Sequence, residues 1–310
     1  MEKRTLGRTG LKVSVLGFGA APVGYLGEDA KRTAEILNLL LDEGVNLIDT
    51  AACYPNSEDL IRKAIGHRRD EYILVSKCGH RAEGLTGTEW SQELISRSID
   101  RSLKLLGTDR LDAMLLHSCE TSVLKKGDAL GALVKAQEEG KILHLGYSGD
   151  NEAAVYAAGL PQIEIIETSV NVCDQNNIDL VLPITRKNRV GVLAKRPIAN
   201  AAWKAVSEQR GIYQDYVTSY SRRFKAMRLR LADFGIDGDP ATEWPRIALQ
   251  FTLSVPGVHC AIVGTTNPVN ARLNLDVIGS PHLAPEIVGR IRSRFTDAEA
   301  RSASRWLGLT

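Results

Sequence analysis

Two hydrophobic patterns alternate along this chain. Amphipathic stretches with an apolar residue every three or four positions are followed by short runs that are apolar throughout. The first stretch, 28–43, sets Ile36, Leu37, Leu40 and Leu41 on one stripe and reaches Gly44 as a C-cap. The pattern then repeats as helices over 57–66, 88–106, 124–139, 151–158, 178–187, 244–255 and 268–278, with Ser57 read as a cap. Between them fall strands over 45–49, 72–77, 111–117, 142–147, 163–167, 190–194 and 260–264; a run at 15–19 precedes them all. These strands show little period-2 alternation, as expected when both faces of a parallel sheet are buried. About eight strand–helix units in a chain of this length predict an α/β fold, a closed (β/α)8 TIM barrel. Residues 4–14 read as two extended runs around a Gly-rich turn, an N-terminal β-hairpin. Residues 197–239 form a long insertion after strand 7, and insertions of that length are usually functional.

The 310 residues are 44% hydrophobic and 25% charged, which suits one barrel domain over 1–310 with no linker in between. The first strand–helix turn, Gly17-Phe18-Gly19-Ala20-Ala21-Pro22, puts proline where a dinucleotide fingerprint needs its third glycine, which argues against an open Rossmann sheet. A formal charge of +2 gives no reason to invoke nucleic acid or an anionic membrane as partner. The basic stretch 221–230 has apolar positions at helical spacing and reads as the solvated face of an amphipathic helix. No run approaches the roughly 18 apolar residues of a membrane span, and the N-terminus lacks the apolar core of a signal peptide. Five cysteines without paired spacing fit free thiols, so the expected location is cytoplasmic.

In such barrels, sites form where strands end at their C-terminal side. That rule selects Asp49, Lys77 and His117 as the last residues of the second, third and fourth strands, with Tyr54 in the loop after the second. A phenol is a reluctant proton donor at neutral pH. A nearby ammonium lowers its pKa, a carboxylate keeps that ammonium charged, and a neutral imidazole can hydrogen-bond a substrate oxygen. The four together suit reversible protonation of a carbonyl oxygen. None can supply a hydride, so a redox reaction requires a nicotinamide cofactor.

The same residues carry a resemblance to the aldo-keto reductase superfamily. It runs through Leu6-Gly7-Arg8-Thr9-Gly10-Leu11-Lys12-Val13-Ser14, Leu16-Gly17-Phe18-Gly19, Asp49-Thr50-Ala51 with Tyr54, Ser57-Glu58, Ser76-Lys77 and Leu115-Leu116-His117. The resemblance implies a reaction between a small carbonyl compound (aldehyde, ketone or aldose) and the alcohol. Tyr54 would be the general acid/base, Lys77 and Asp49 would tune it, and His117 would orient the carbonyl. It also implies NADP, with NAD as the other option. Gly264, Thr265 and Thr266 open the last helix in the region where (β/α)8 barrels bind phosphate. Arg272 and Asn274 resemble positions that hold the 2′-phosphate and adenine, and Ser148 resembles a carboxamide-binding serine.

The chain departs from the family pattern in three places. Gly149-Asp150 replaces the usual Asn after Ser148, Glu167 aligns with a usual Gln, and Lys195-Arg196-Pro197-Ile198 replaces a Tyr-Ser-Pro-Leu whose ring stacks on nicotinamide. Lys195 and Arg196 are therefore assigned to the cofactor phosphates. Tyr25, Cys53, Cys119 and Trp203 are chosen as substrate-pocket residues. Two other readings stay open. One is a non-catalytic nicotinamide-binding subunit on the same barrel. The other is a metal-dependent barrel hydrolase using His117, Cys53, Cys78 and Cys119, although no His-x-His or Cys-x-x-Cys pair supports a metal site. A barrel of this kind can work as a monomer, and the sequence leaves the oligomeric state open.

Overall fold

A computed structural model describes all residues except 28, 206 and 208–212, and the side chains of 213–215 also lie outside the description. Two short strands, β1 (Lys3–Thr5) and β2 (Lys12–Ser14), pair antiparallel as the expected hairpin. Eight parallel strands follow: β3 (Leu16–Gly19), β4 (Leu47–Asp49), β5 (Ile73–Cys78), β6 (Leu111–His117), β7 (Ile142–Ser148), β8 (Ile165–Ser169), β9 (Gly191–Lys195) and β10 (Cys260–Val263). They pair in chain order, and β10 closes on β3, so the sheet is a barrel.

The pleat of each strand divides its residues between two cores. Outward positions such as Phe18, Ile48, Leu74, Met114, Leu116, Leu145 and Ile166 pack with the surrounding helices. Inward positions Leu47, Val75, Ala113, Leu115, Ile165, Leu193, Cys260 and Ile262 pack with one another. Two residues further along the same inward register come Asp49, Lys77, His117, Glu167 and Lys195, while Leu115 and Ile165 flank the inward Gly146, two before Ser148. The alternation that hides in all-apolar strands thus decides which polar residues face the barrel axis.

The hairpin closes the opposite end. Leu6 and Val13 are fully buried and join the inward core. A Cβ on Gly191 would lie 2.5 Å from Leu6 Cγ, so that strand must start with glycine for the hairpin to seat.

Several helices differ from the sequence expectation. The first runs Ala30–Asp42, capped by Asp29, whose side chain accepts from Arg32 N at 2.8 Å; residue 28, the expected start, lies outside the described residues. The expected 124–139 helix is two, Thr121–Lys126 and Asp128–Glu138, broken at Gly127 with φ +84°. The 178–187 helix is likewise split into Asn176–Leu180 and Leu182–Asn188. Ser57 is the first residue of its helix; Asn56, at φ 55°, takes the cap position, and Ser57 Oγ instead meets Thr50 Oγ1 at 2.7 Å.

Two helices go beyond the expected series, Ala21–Tyr25 and Pro285–Ala300. The basic stretch belongs to a helix Tyr213–Met227. Together with Pro240–Ser254 and Pro285–Ala300 it builds a side core around Tyr220, Trp244, Phe251, Phe295 and Trp306. Among the described residues no helix is long and apolar enough to cross a membrane.

Candidate active site

A cavity of about 970 Å³, at the upper end of the usual range for ligand sites, opens at the C-terminal ends of the barrel strands. Asp49, Tyr54, His117, Ser148, Glu167, Lys195, Arg196, Gly264, Thr265 and Thr266 all line it, as do Tyr25 and Cys53. Lys77 lies directly beneath, 1% exposed.

Lys77 Nζ donates to both carboxylate oxygens of Asp49 at 2.6 Å and to the Thr50 carbonyl at 3.1 Å. Burial opposes its charge, but the carboxylates of Asp49 and Glu167 outweigh burial and hold the ammonium above its usual pKa. Asp49 is pushed well above the usual carboxylate range, first by burial and then by the charge of Glu167.

The chain beyond β4 stays bonded to β5: Thr50 N donates to Val75 O at 2.9 Å and Ala52 N to Lys77 O at 3.0 Å. A turn then brings the Tyr54 ring over the ammonium, with Nζ 5.5 Å from the ring centre. Gly24 fixes this loop from the other side, since a Cβ there would stand 2.8 Å from Pro55 O and 3.2 Å from Tyr54 Cβ. Tyr25 packs edge-on against Tyr54 at 5.5 Å.

The expected lowering of the phenol pKa is corrected by this environment. Burial raises the Tyr54 pKa; Lys77 pulls it down, while Asp49, Glu167 and Cys53 add to the rise. The hydroxyl is therefore a protonated donor in the site as folded. His117 stands edge-on to Tyr54, with ring centres 5.7 Å apart, and its Nδ1 is 3.4 Å from Cys53 Sγ. Burial, the ammonium of Lys77 and the further positive charge of Lys195 and Arg196 hold the imidazole well below its usual pKa and so neutral.

Lys195 and Arg196 reach the cavity already partnered. Asp150 Oδ2 lies 3.2 Å from Lys195 Nζ and 4.0 Å from Arg196. Arg196 also donates to Ser169 Oγ at 3.0 Å and to the Leu309 carbonyl, and stacks 4.0 Å over the Tyr216 ring. Asp150 itself accepts from Thr168 Oγ1, Ser169 N and Asn177 Nδ2 at 2.7–2.8 Å. The sequence reading saw Asp150 only as a departure from pattern; the structure makes it the anchor of this cationic wall. A Cβ on the neighbouring Gly149 would meet the Tyr147 ring, which excludes any larger residue there.

Four assigned residues lie elsewhere. Cys119 is buried beneath the loop, where its carbonyl accepts from Tyr147 Oη at 2.8 Å. Trp203 packs with Phe224 and Trp244 in the side core. Arg272 points away from the cavity and pairs with Glu43 at 2.6 Å, while Asn270, one turn before Asn274, faces inward. Asn274 is buried against Phe18 and Leu40. Helical rotation explains both offsets, because positions 270 and 272 point about 200° apart.

His80, Arg81, Asn200 and Tyr216 also line the cavity and were not selected from sequence, although Tyr216 is one of the aromatic residues of the insertion. Among the described residues no three His, Cys, Asp or Glu side chains come together as a metal site.

The site offers what a nicotinamide dinucleotide needs. The β10 turn lines the cavity at Gly264, where a Cβ would meet Pro22 and the Gly19 carbonyl within 2.8 Å, so the turn admits no side chain at this position. Behind it begins the helix Pro268–Gly279, capped by Asn267. Two strands away, on β8, Glu167 Oε2 is buried without a hydrogen-bond partner among the described residues.

Comparison with known proteins agrees with this geometry. The chain is 28% identical to an L-galactose dehydrogenase of Arabidopsis thaliana over 90% of its own length and 88% of the relative's. It is 24% identical to an Arabidopsis protein named "Probable voltage-gated potassium channel subunit beta", covering 98% and 99%. A holo-form aldo-keto reductase from Bacillus halodurans has the same fold, with a TM-score of 0.79 at 23% identity over 99% of this chain and 98% of that one. With the model of the Aldo/keto reductase family matching residues 15–294, the chain belongs to that family, in general one of NAD(P)-dependent carbonyl oxidoreductases.

Proposed function

We propose that the protein is a cytoplasmic NAD(P)(H)-dependent oxidoreductase that interconverts a small carbonyl compound, an aldehyde, ketone or aldose, and its alcohol. The observation that supports this best is the convergence of Tyr54, His117 and the Lys77–Asp49 pair on one cavity. In reduction, Tyr54 Oη gives its proton to the carbonyl oxygen; in oxidation the phenolate takes the hydroxyl proton. Lys77 makes that phenolate accessible by opposing the buried negative charge, and Asp49 holds Lys77 in place. His117, neutral and engaged at Nδ1 by Cys53, has Nε2 left to hydrogen-bond the same substrate oxygen. Bound nicotinamide supplies or accepts the hydride.

Gly264, Thr265 and Thr266 would hold the dinucleotide phosphates with the amide groups of that turn, and Ser148 and Glu167 would border the nicotinamide. Lys195 and Arg196 add positive charge to the wall. The preference for NADP rests on Arg272. Its ion pair with Glu43 is exposed on both sides, and such pairs contribute only about 0–1 kcal/mol, so a 2′-phosphate can displace the carboxylate. The likeness to an L-galactose dehydrogenase favours an aldose among the possible substrates.

A panel of aldehydes, ketones, alcohols and aldoses, followed at the nicotinamide absorbance in both directions with both cofactors, tests this reading. The likeness to a named channel subunit keeps a second reading, a nicotinamide-binding subunit without turnover. Tight cofactor binding with no turnover on any of the panel would select it.

A further inference from the structure

Glu167 is a buried carboxyl beyond what the ion pair beneath the cavity uses. It is an inward residue of β8, beside Ser148 of β7 and Leu193 of β9, and is 4% exposed. The ammonium of Lys77 already donates to both oxygens of Asp49 and to the Thr50 carbonyl. Glu167 Oε2 stands 3.2 Å from that ammonium without hydrogen-bond geometry, and no other donor meets it among the described residues. Two carboxyls thus share one ammonium in a space out of water. A carboxylate in that position costs several kcal/mol unless a further positive charge arrives.

The groups facing the pair are few. Lys77 lies on β5 and Tyr54 above it; Lys195 on β9 is drawn to Asp150, and the Cys260 thiol lies on β10. His117 on β6 is neutral. Among the described residues Lys77 is the cation that lies within 3.2 Å of both carboxyls, while Lys195, paired with Asp150, attracts Glu167 from farther away. The Asp49 carboxyl, pushed well above the usual range by burial and by the charge of Glu167, holds its proton more tightly than an ordinary carboxyl.

We propose that Glu167 makes the cavity prefer the oxidised nicotinamide cofactor, whose ring carries the positive charge that the Asp49–Lys77–Glu167 group lacks. The proposal rests on the cofactor reading above. Proton transfer through Tyr54 and hydride transfer act on one carbonyl group, so a bound ring would lie beside Tyr54 in the cavity that Glu167 also lines. Binding the oxidised form drives the Asp49 proton into solvent and leaves two carboxylates facing two positive charges. Binding the reduced, neutral ring leaves the proton in place. No redox step is needed for the difference, which is a property of binding alone.

The test is titration of the wild type and Glu167→Gln with oxidised and with reduced cofactor, by calorimetry in two buffers of different ionisation enthalpy, between roughly pH 6 and pH 9. In the wild type, affinity for the oxidised form should rise with pH, with proton release, while affinity for the reduced form stays level. In Glu167→Gln the ratio of the two affinities should move at least about tenfold toward the reduced form, about 1.4 kcal/mol, and proton release should vanish. An unchanged ratio would overturn the proposal while leaving the cofactor assignment intact. Failure of the wild type to bind either form would remove both. Should Glu167→Gln not fold, the wild type decides: parallel pH slopes for the two forms overturn the proposal, and diverging slopes support it.

Discussion

Lys77 Nζ lies 2.6 Å from each carboxylate oxygen of Asp49, and both side chains are almost wholly withdrawn from solvent. Removing one member of such a pair strands the other, at a cost of about 3–5 kcal/mol. Lys77→Met should therefore lower unfolding stability by that amount in urea titrations near neutral pH. The loss should shrink as pH falls. A carboxyl whose folded pKa is raised gains stability by protonation, so Asp49 is least costly below its unfolded value and most costly above its folded one. A loss below 1 kcal/mol at neutral pH would show that the charges are not buried as described.

Tyr54→Phe removes the hydroxyl from the ring placed over Lys77 while keeping the ring that packs on Tyr25 and His117. Carbonyl reduction should fall by about 10²–10⁴-fold, the usual worth of a general acid. Cofactor affinity, measured by fluorescence titration, should stay within about twofold of the wild type. Full activity would take the proton role away from Tyr54.

His117 is held neutral by burial and by the cations around it, so its folded pKa is below its unfolded one. The sign follows: its contribution to stability is present above about pH 6.5 and is lost as pH falls through that value toward the folded pKa. Unfolding curves for the wild type and His117→Asn should accordingly converge as pH is lowered, by up to about 1.4 kcal/mol per pH unit. Parallel curves through this range would mean that the imidazole titrates alike in the folded and unfolded protein.

Arg272→Ala should weaken NADPH binding more than NADH binding, and Glu43→Gln, by freeing Arg272, should strengthen NADPH binding slightly. Asn270→Ala serves as the comparison, because Asn270 faces the cavity. Equal losses for both cofactors in Arg272→Ala would end the 2′-phosphate assignment.

Gly24→Ala places a methyl group 2.8 Å from the Pro55 carbonyl and 3.2 Å from Tyr54 Cβ. Such overpacking costs about 1–3 kcal/mol. Because the strain falls on the loop that carries Tyr54, turnover should drop roughly tenfold or more, since small misplacements of reacting groups are costly. Unchanged turnover with lowered stability would show that the loop yields elsewhere.

The barrel was legible because apolar strands alternate with amphipathic helices, and Asp49, Lys77 and His117 fall at or next to strand ends for one topological reason. Assignments made from strand ends reached the cavity, Ser148 and Glu167 among them. Those made on helices and loops did less well. Arg272 and Asn274 are offset from the inward face by rotation around the helix, which spacing along the chain leaves undetermined. Trp203 looked like a pocket wall, but its partner Trp244 is distant in sequence and draws it into the side core. Asp150 gave no signal beyond its charge, since its partners Thr168, Ser169, Asn177, Lys195 and Arg196 come from three later segments. The direction of the Tyr54 pKa was missed because dehydration, which outweighs Lys77 here, depends on packing all around the ring.

The seated hairpin has a bearing on proton traffic. With Leu6 and Val13 sealing the far end, the carboxyls and ammonium beneath the cavity reach water only through the mouth used by the ligands. A filled mouth is a stopper. A proton displaced from this buried group on loading leaves by the same mouth through which the ligand enters, so the barrel operates as a one-door airlock.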